Sequence, residues 1–297
     1  MNGANESPIL TLENLSKHFG GVRAVDDVSF DVSAGIVTSL IGPNGAGKTT
    51  VFNLITGLYE PTEGRILFHG GDSSIDLAKP VFDSFYTAVL CSATLGLGAL
   101  ALAVPPLSRR LYYRPRHPDS VARLGVARTF QNIRLFTDLS ALDNVKVGMH
   151  ARVKSGALDN VLRSPRHNRE ERSVAAAAMR YLEFVGLKDR AWEDADELAY
   201  GEQRRLEIAR ALATNPKLLL LDEPAAGMNA TETNELIELI GKIGEAGVTV
   251  FLIEHDMKLV MEISDRIVVL DYGRKIGEGE PQEVRSNPDV IAAYLGA

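Results

Sequence analysis

The chain of 297 residues has a single cysteine, Cys91, so no internal disulfide can form, the usual pattern of a protein kept in a reducing cytosol. An excess of base is also lacking. With 32 basic residues against 39 acidic ones, the formal net charge of -7 speaks against a general binder of nucleic-acid backbones. No basic stretch followed by an apolar one opens the sequence, so no secretory leader is expected. No repeat at a solenoid period is visible. Between Phe85 and Leu107 charge is absent altogether. What is present is ordinary for a globular protein: 45% hydrophobic and 24% charged residues, enough for one large domain or two modest ones.

Short apolar runs bounded by Gly20-Gly21 and Ala34-Gly35 predict strands over residues 9–12, 28–32 and 36–41. From Lys48 the spacing of Val51, Leu54, Ile55 and Leu58 predicts a helix that ends near Gly57. Further along, a helix over 201–213, a strand over 218–221, a helix over 231–246 and a strand over 248–253 alternate. That order predicts an α/β fold with a parallel sheet. Residues 141–186 look mostly helical and interrupt the alternation as an inserted helical subdomain would.

Three groups of residues carry chemistry. Gly42, Pro43, Asn44, Gly45, Ala46, Gly47, Lys48 and Thr49 fit G-x-x-x-x-G-K-[ST] between a strand and a helix, where backbone N–H groups can cradle phosphates. Lys48 would reach the β and γ phosphates of a nucleotide and Thr49 would ligate Mg²⁺. The run 218–221 ends in Asp222 and Glu223, two carboxylates beside a core, whose burial a bound cation would relieve. Asp222 is expected to help hold Mg²⁺, and Glu223 to polarise an attacking water as general base. The strand over 248–253 ends in Glu254 and His255, which puts an imidazole at the same sheet edge. A lone histidine there proves little, but ligands bind at such edges.

With these motifs in place the chain resembles the ATPases of ABC transporters over nearly its whole length. Leu198-Ala199-Tyr200-Gly201-Glu202, followed by Gln203-Arg204-Arg205, is similar to the family signature L-S-G-G-Q. The resemblance implies a P-loop ABC ATPase with a RecA-like parallel-sheet core, an antiparallel β subdomain and a helical subdomain over roughly 138–200. It implies ATP and Mg²⁺ as cofactors, Gln131 of Arg128-Thr129-Phe130-Gln131 as the glutamine that meets metal and water, and His255 as the residue near the γ-phosphate. It further places Phe19 against adenine, and Val25, Ala46 and Thr50 at the nucleotide. Two departures stand out. Ala199 and Glu202 replace the signature serine and glutamine, so a hydroxyl contact to the partner's γ-phosphate is lost, while Asn229 stands where the family usually has aspartate.

The sequence around Glu202, the run 226–229, Glu254-His255-Asp256-Met257 and the ending over 287–296, within a C-terminal extension over 280–297, are similar to the ATPase subunit of branched-chain amino acid importers. On that resemblance the expected partners are transmembrane permease subunits, a second ATPase subunit, identical or not, and indirectly a solute-binding protein, with no nucleic acid. The expected place is the cytoplasmic face of the membrane. A urea or amide importer, or a lipopolysaccharide exporter, is the alternative cargo system. Of other classes, a nonhydrolysing ATP-binding subunit conflicts with the presence of Lys48, Asp222, Glu223 and His255. A soluble ABC ATPase acting on ribosomes or DNA conflicts with the single cassette and the acidic charge.

The apolar insert, roughly 72–119, separates the phosphate loop from Gln131, where relatives have a short connection. A single membrane crossing would put Lys48 and Asp222 on opposite sides, although both must hold one MgATP. Gly96 and Gly98 divide the run into halves too short to span. It is expected to pack on the protein or a permease, to lie in the membrane interface, or to be an anomaly of the sequence. Arg109, Arg110, Arg114 and Arg116 beside it would suit anionic headgroups.

Overall fold

A computed structural model describes residues 7–71, 74–79, 81–82, 113–114, 117–150 and 165–295. The apolar run 85–107 falls outside them. Two sheets form the frame. In the larger, β3 (Val37–Ile41), β8 (Val126–Arg128), β9 (Leu218–Asp222), β10 (Thr249–Ile253), β11 (Arg266–Asp271) and β12 (Arg274–Gly279) lie in the order β12-β11-β3-β10-β9-β8. All neighbours in it pair in parallel except β11 with β12.

The unbroken apolar runs of β9 and β10 follow from burial on both faces. Leu219, Leu221, Val250 and Leu252 face one core, shared with the helices, and Leu218, Leu220, Phe251 and Ile253 face a second. That second core is closed by the antiparallel sheet of β1 (Pro8–Phe19), β2 (Val22–Ser33), β4 (Glu63–Phe68) and β5 (Ile75–Asp76), in the order β2-β1-β4-β5. Strands β1 and β2 each run 12 residues, well past the expected segments. Asn14 and Asp27 take positive φ (47° and 56°) at register shifts, and the pairing continues beyond them. Their side chains also bond each other at 2.9 Å. Residues 75–77 sit inside the boundary assigned to the insert, yet β5 pairs with β4 and Leu77 is buried in this core. Beyond them β6 (Val81–Phe82) pairs with β7 (Tyr113–Arg114), so the chain leaves and returns at adjacent points.

Helix α1 (Lys48–Ile55) follows β3, and α2 (Pro118–Arg123) precedes β8. The helical subdomain comprises α3 (Ala141–Met149) and α4 (Pro165–Phe184), with a 3-10 turn at Lys188–Arg190. Both helices pack on α5 (Tyr200–Ala213), and Ala178, Leu182, Leu206 and Leu212 are buried there. Helix α6 (Ala230–Glu245) has a full capping box. Asn229 accepts the N–H groups of Thr231 and Glu232, and Glu232 accepts that of Asn229, all at 2.9–3.0 Å. Helix α7 (Met257–Ile263) precedes β11, and α8 (Pro281–Ser286) and α9 (Pro288–Leu295) close the chain against β12. No helix among the described residues is long and apolar enough to cross a membrane.

Candidate active site

The parallel pairing brings the ends of β3, β9 and β10 to one edge, where ligands of open α/β sheets bind. A cleft of about 420 Å³ opens there, lined by residues 22–24, 44–50, Gln131, Glu223 and Tyr272. Its floor is the turn from β3 into α1. Gly45 and Gly47 take φ of 82° and 99°, and a Cβ on Gly47 would collide with the carbonyl oxygen of Ala24. Only glycine fits that position at no cost. The hairpin turn after β11 braces the loop, because Gly273 donates its N–H to Ala46 and accepts that of Asp26.

Lys48 is buried at the first residue of α1. Its ammonium donates to the carbonyl oxygens of Gly42 (2.7 Å) and Pro43 (3.0 Å). Burial pushes its pKa down, and the nearby Glu223 and Asp222 carboxylates push it back up. Across the cleft, Glu223 adopts a positive φ of 46° and donates its N–H to Ile253. Such a conformation is costly for a residue with a side chain and here turns the carboxylate out of the strand direction. One carboxylate oxygen accepts the Gln131 side-chain amide at 2.8 Å and lies 3.8 Å from His255 Nδ1, beyond hydrogen-bond reach. His255 is well exposed. The carboxylate of Glu254, fully buried, accepts the N–H groups of Ala225 (2.9 Å) and His255 (3.1 Å) and ties the loop after Glu223 to the end of β10. Burial raises its pKa, and these N–H groups oppose the shift.

Asp222 is also buried and holds Arg128 at 2.7 Å. The same guanidinium donates to Asn53 Oδ1 of α1 at 2.7 Å, so the start of the Gln131 segment, the strand end and the phosphate-loop helix meet at one cation. Thr49, Asp222 and Gln131 offer hydroxyl, carboxylate and amide oxygens. That hard set fits Mg²⁺, which takes one or two carboxylates and fills its shell with phosphate and water. No cluster of three or more histidine, cysteine or acidic side chains able to hold a metal occurs among the described residues.

The remaining expected residues lie apart from this cleft. Phe19 is exposed, packs edge-on against Tyr59 with ring centroids 5.3 Å apart, and does not line the cleft. Val25 is fully buried in the core under the antiparallel sheet, so its neighbours Val22, Arg23 and Ala24 line the cleft in its place. Ala199, Tyr200, Gly201 and Glu202 also lie outside the lining. Ala199 caps α5 and has no side-chain oxygen to offer, but its N–H is taken by the Glu202 carboxylate at 3.0 Å. The substituted glutamate therefore occupies a donor of its own helix start.

Sequence reading missed Arg128, Glu254, Tyr272 and the pair Arg204 and Glu207. Arg128 had one available signal, its place three residues before Gln131. The others are charged or polar residues whose burial or approach depends on segments far away in the chain.

Comparison with known proteins gives the family. The family model described as ABC transporter matches residues 25–84 and 107–226. The chain belongs to the ABC transporter family. A second model, the branched-chain amino acid ATP-binding cassette transporter, matches residues 274–297 of the cassette. The first model leaves out 85–106, inside the apolar run. The cassette is 44% identical over 290 residues to the high-affinity branched-chain amino acid transport ATP-binding protein BraF of Pseudomonas aeruginosa, covering 97% of this chain and 98% of that one. It is 42% identical, with the same coverage, to the corresponding protein LivG of Escherichia coli. Among solved structures, a nucleotide-free ATP-binding cassette from an ABC transporter matches with a TM-score of 0.73 at 29% identity, over 98% of this chain and 100% of that one.

Proposed function

We propose that this cassette hydrolyses MgATP as a dimer on the cytoplasmic face of a membrane and drives a permease that imports branched-chain amino acids. The observation that carries the hydrolytic reading is the contact between Gln131 and Glu223 in the cleft that holds Lys48. Glu223 is placed to take the proton of a water attacking the γ-phosphate, and Gln131 fixes the direction of its carboxylate. Lys48 binds the β and γ phosphates, while Thr49, Asp222 and Gln131 would hold Mg²⁺. Bound Mg²⁺ supplies neutralisation of the phosphate charge. His255, exposed and 3.8 Å from the Glu223 carboxylate, would meet the γ-phosphate beside it.

The cargo reading rests on the relatives' names and on the C-terminal match, which favour amino acids over urea or lipopolysaccharide. A groove of about 450 Å³ beside the Gln131 segment supports a permease partner. The exposed side chains of Leu58, Phe136 and Val147 line it, and apolar side chains exposed together mark contacts. Vesicles carrying the cassette, its permease subunits and the solute-binding protein should accumulate labelled leucine in an ATP-dependent way. Uptake of urea and not leucine would replace the cargo.

The dimer reading follows from the signature lying outside its own cleft, so that a second cassette must supply the other wall. Gly201→Asp would put a carboxylate at the helix start that should face the partner's γ-phosphate, where like charges repel and oppose closure; its Cβ would also crowd Glu232 Oε1, 2.8 Å away in the same subunit. We expect ATP-induced dimerisation of this variant to weaken at least about tenfold, the effect of a single like-charge contact of about 1.4 kcal/mol. Monomer affinity for ATP should be unchanged. Size-exclusion chromatography in the Glu223→Gln background reads the first, and nucleotide titration the second.

A further inference from the structure

Helix α5 carries two charged residues in its buried face. Arg204 and Glu207, one turn apart, have side chains 0% and 1% exposed and form an ion pair at 2.9 Å. Taking two charges out of water costs several kcal/mol per ion, an expense that a core of the same size could avoid with apolar side chains. The pair has other work. Arg204 donates to the carbonyl oxygens of Phe130 (2.6 Å) and Gln131 (2.8 Å). Glu207 accepts the N–H groups of Phe130 and Arg134, both at 3.4 Å. The backbone on both sides of Gln131 is therefore held by one helix, and the Gln131 side chain in turn holds the Glu223 carboxylate.

We propose that Arg204 and Glu207 are positioning residues for ATP hydrolysis, clamping the Gln131 segment to the signature helix so that Gln131 holds Glu223 in its reactive direction. This rests on the reading of Glu223 as the base. Neither residue lines the nucleotide cleft, so ATP is expected to bind without them. The planar guanidinium serves this place because it can reach two adjacent carbonyls and a carboxylate at once, whereas an ammonium is a point charge without that fork. The clamp also gives the signature helix and the Gln131 segment a reason to move together, since separating them would take from Arg204 its two carbonyl acceptors and from Glu207 its two N–H donors.

The test uses the purified full-length chain with two variants. In Arg204→Met with Glu207→Leu the charges leave together and the volume is kept, a change that buried ion pairs often tolerate without loss of stability. The expected result is a kcat reduced about 10- to 100-fold, with ATP affinity within twofold of the parent and a cooperative thermal transition. Arg204→Lys keeps the charge and one carbonyl bond, and should give an intermediate kcat at the same ATP affinity. A kcat within twofold of the parent in the folded double variant would overturn the proposal and leave the pair as core filling. If the double variant does not fold, Arg204→Lys decides alone: a parental kcat overturns the clamp, and a several-fold loss at unchanged affinity supports it. Failure of the underlying reading is separate, because it would appear as retained turnover in Glu223→Gln.

Discussion

Replacing Glu223 by glutamine should lower ATP turnover by about two to four orders of magnitude, the range over which a positioned general base contributes. The substitution is isosteric, so the positive φ at this position and the N–H bond to Ile253 are unaffected in kind. The amide oxygen can still accept the Gln131 side chain, which now bonds the carboxylate at 2.8 Å. What disappears is the capacity to take a proton. ATP should therefore bind with nearly parental affinity, and the dimer that forms around it should persist because hydrolysis no longer ends it. Single-turnover hydrolysis and equilibrium nucleotide binding separate the two effects. Turnover within about twofold of the parent would remove Glu223 from the role of base.

Lys48→Ala should act at the earlier step. The ammonium is buried among the carbonyls of Gly42 and Pro43, on the side of the cleft facing the Glu223 and Asp222 carboxylates. Charge-assisted hydrogen bonds contribute about 1.5–3 kcal/mol, so losing those to the phosphates should weaken ATP binding by about 10- to 100-fold or more. The loss should be larger for ATP than for AMP, which presents no β or γ phosphate. The loop should keep its turn, because Gly45, Gly47 and the brace from Gly273 remain, although the lysine's bonds to Gly42 and Pro43 are lost. Equal affinities of parent and variant for ATP would mean that Lys48 does not reach the phosphates. Together the two variants divide the cycle into binding and chemistry at one cleft.

Much of this was legible in the order of residues. The phosphate loop could be read because backbone geometry and phosphate charge demand glycines and a lysine at fixed spacing, and local chemistry of that kind survives without knowledge of the fold. The strand of four leucines ending in Asp222 and Glu223 could be read for a similar reason, since a strand buried on both faces shows as a continuous apolar run. Gln131 and Ala199–Glu202 were recognised only through the resemblance to a family, which also gave His255, already placed at the sheet edge, its role. Nothing in their own spacing distinguishes a functional glutamine or histidine from a solvated one.

Sequence alone determined the α/β class, the phosphate-binding turn and the two carboxylates beyond it, because these depend on neighbours within a few residues. Tertiary structure decided which charges are buried and what they hold. Arg204 and Glu207 look like the polar face of a helix until the loop at Phe130 and Gln131, more than 70 residues earlier, is folded onto them. Arg128 looks like a strand-end cation until Asp222 and Asn53 arrive from two other elements. The family resemblance placed Val25 at the nucleotide, but the pleat of β2 sends its side chain into the core. Strands β1 and β2 run past the expected segments, through Asn14 and Asp27, whose left-handed conformations fall at register shifts where the two side chains bond each other across the sheet. In each case the deciding contact joins segments far apart in the chain, and burial of a charge is a property of that contact rather than of the residue.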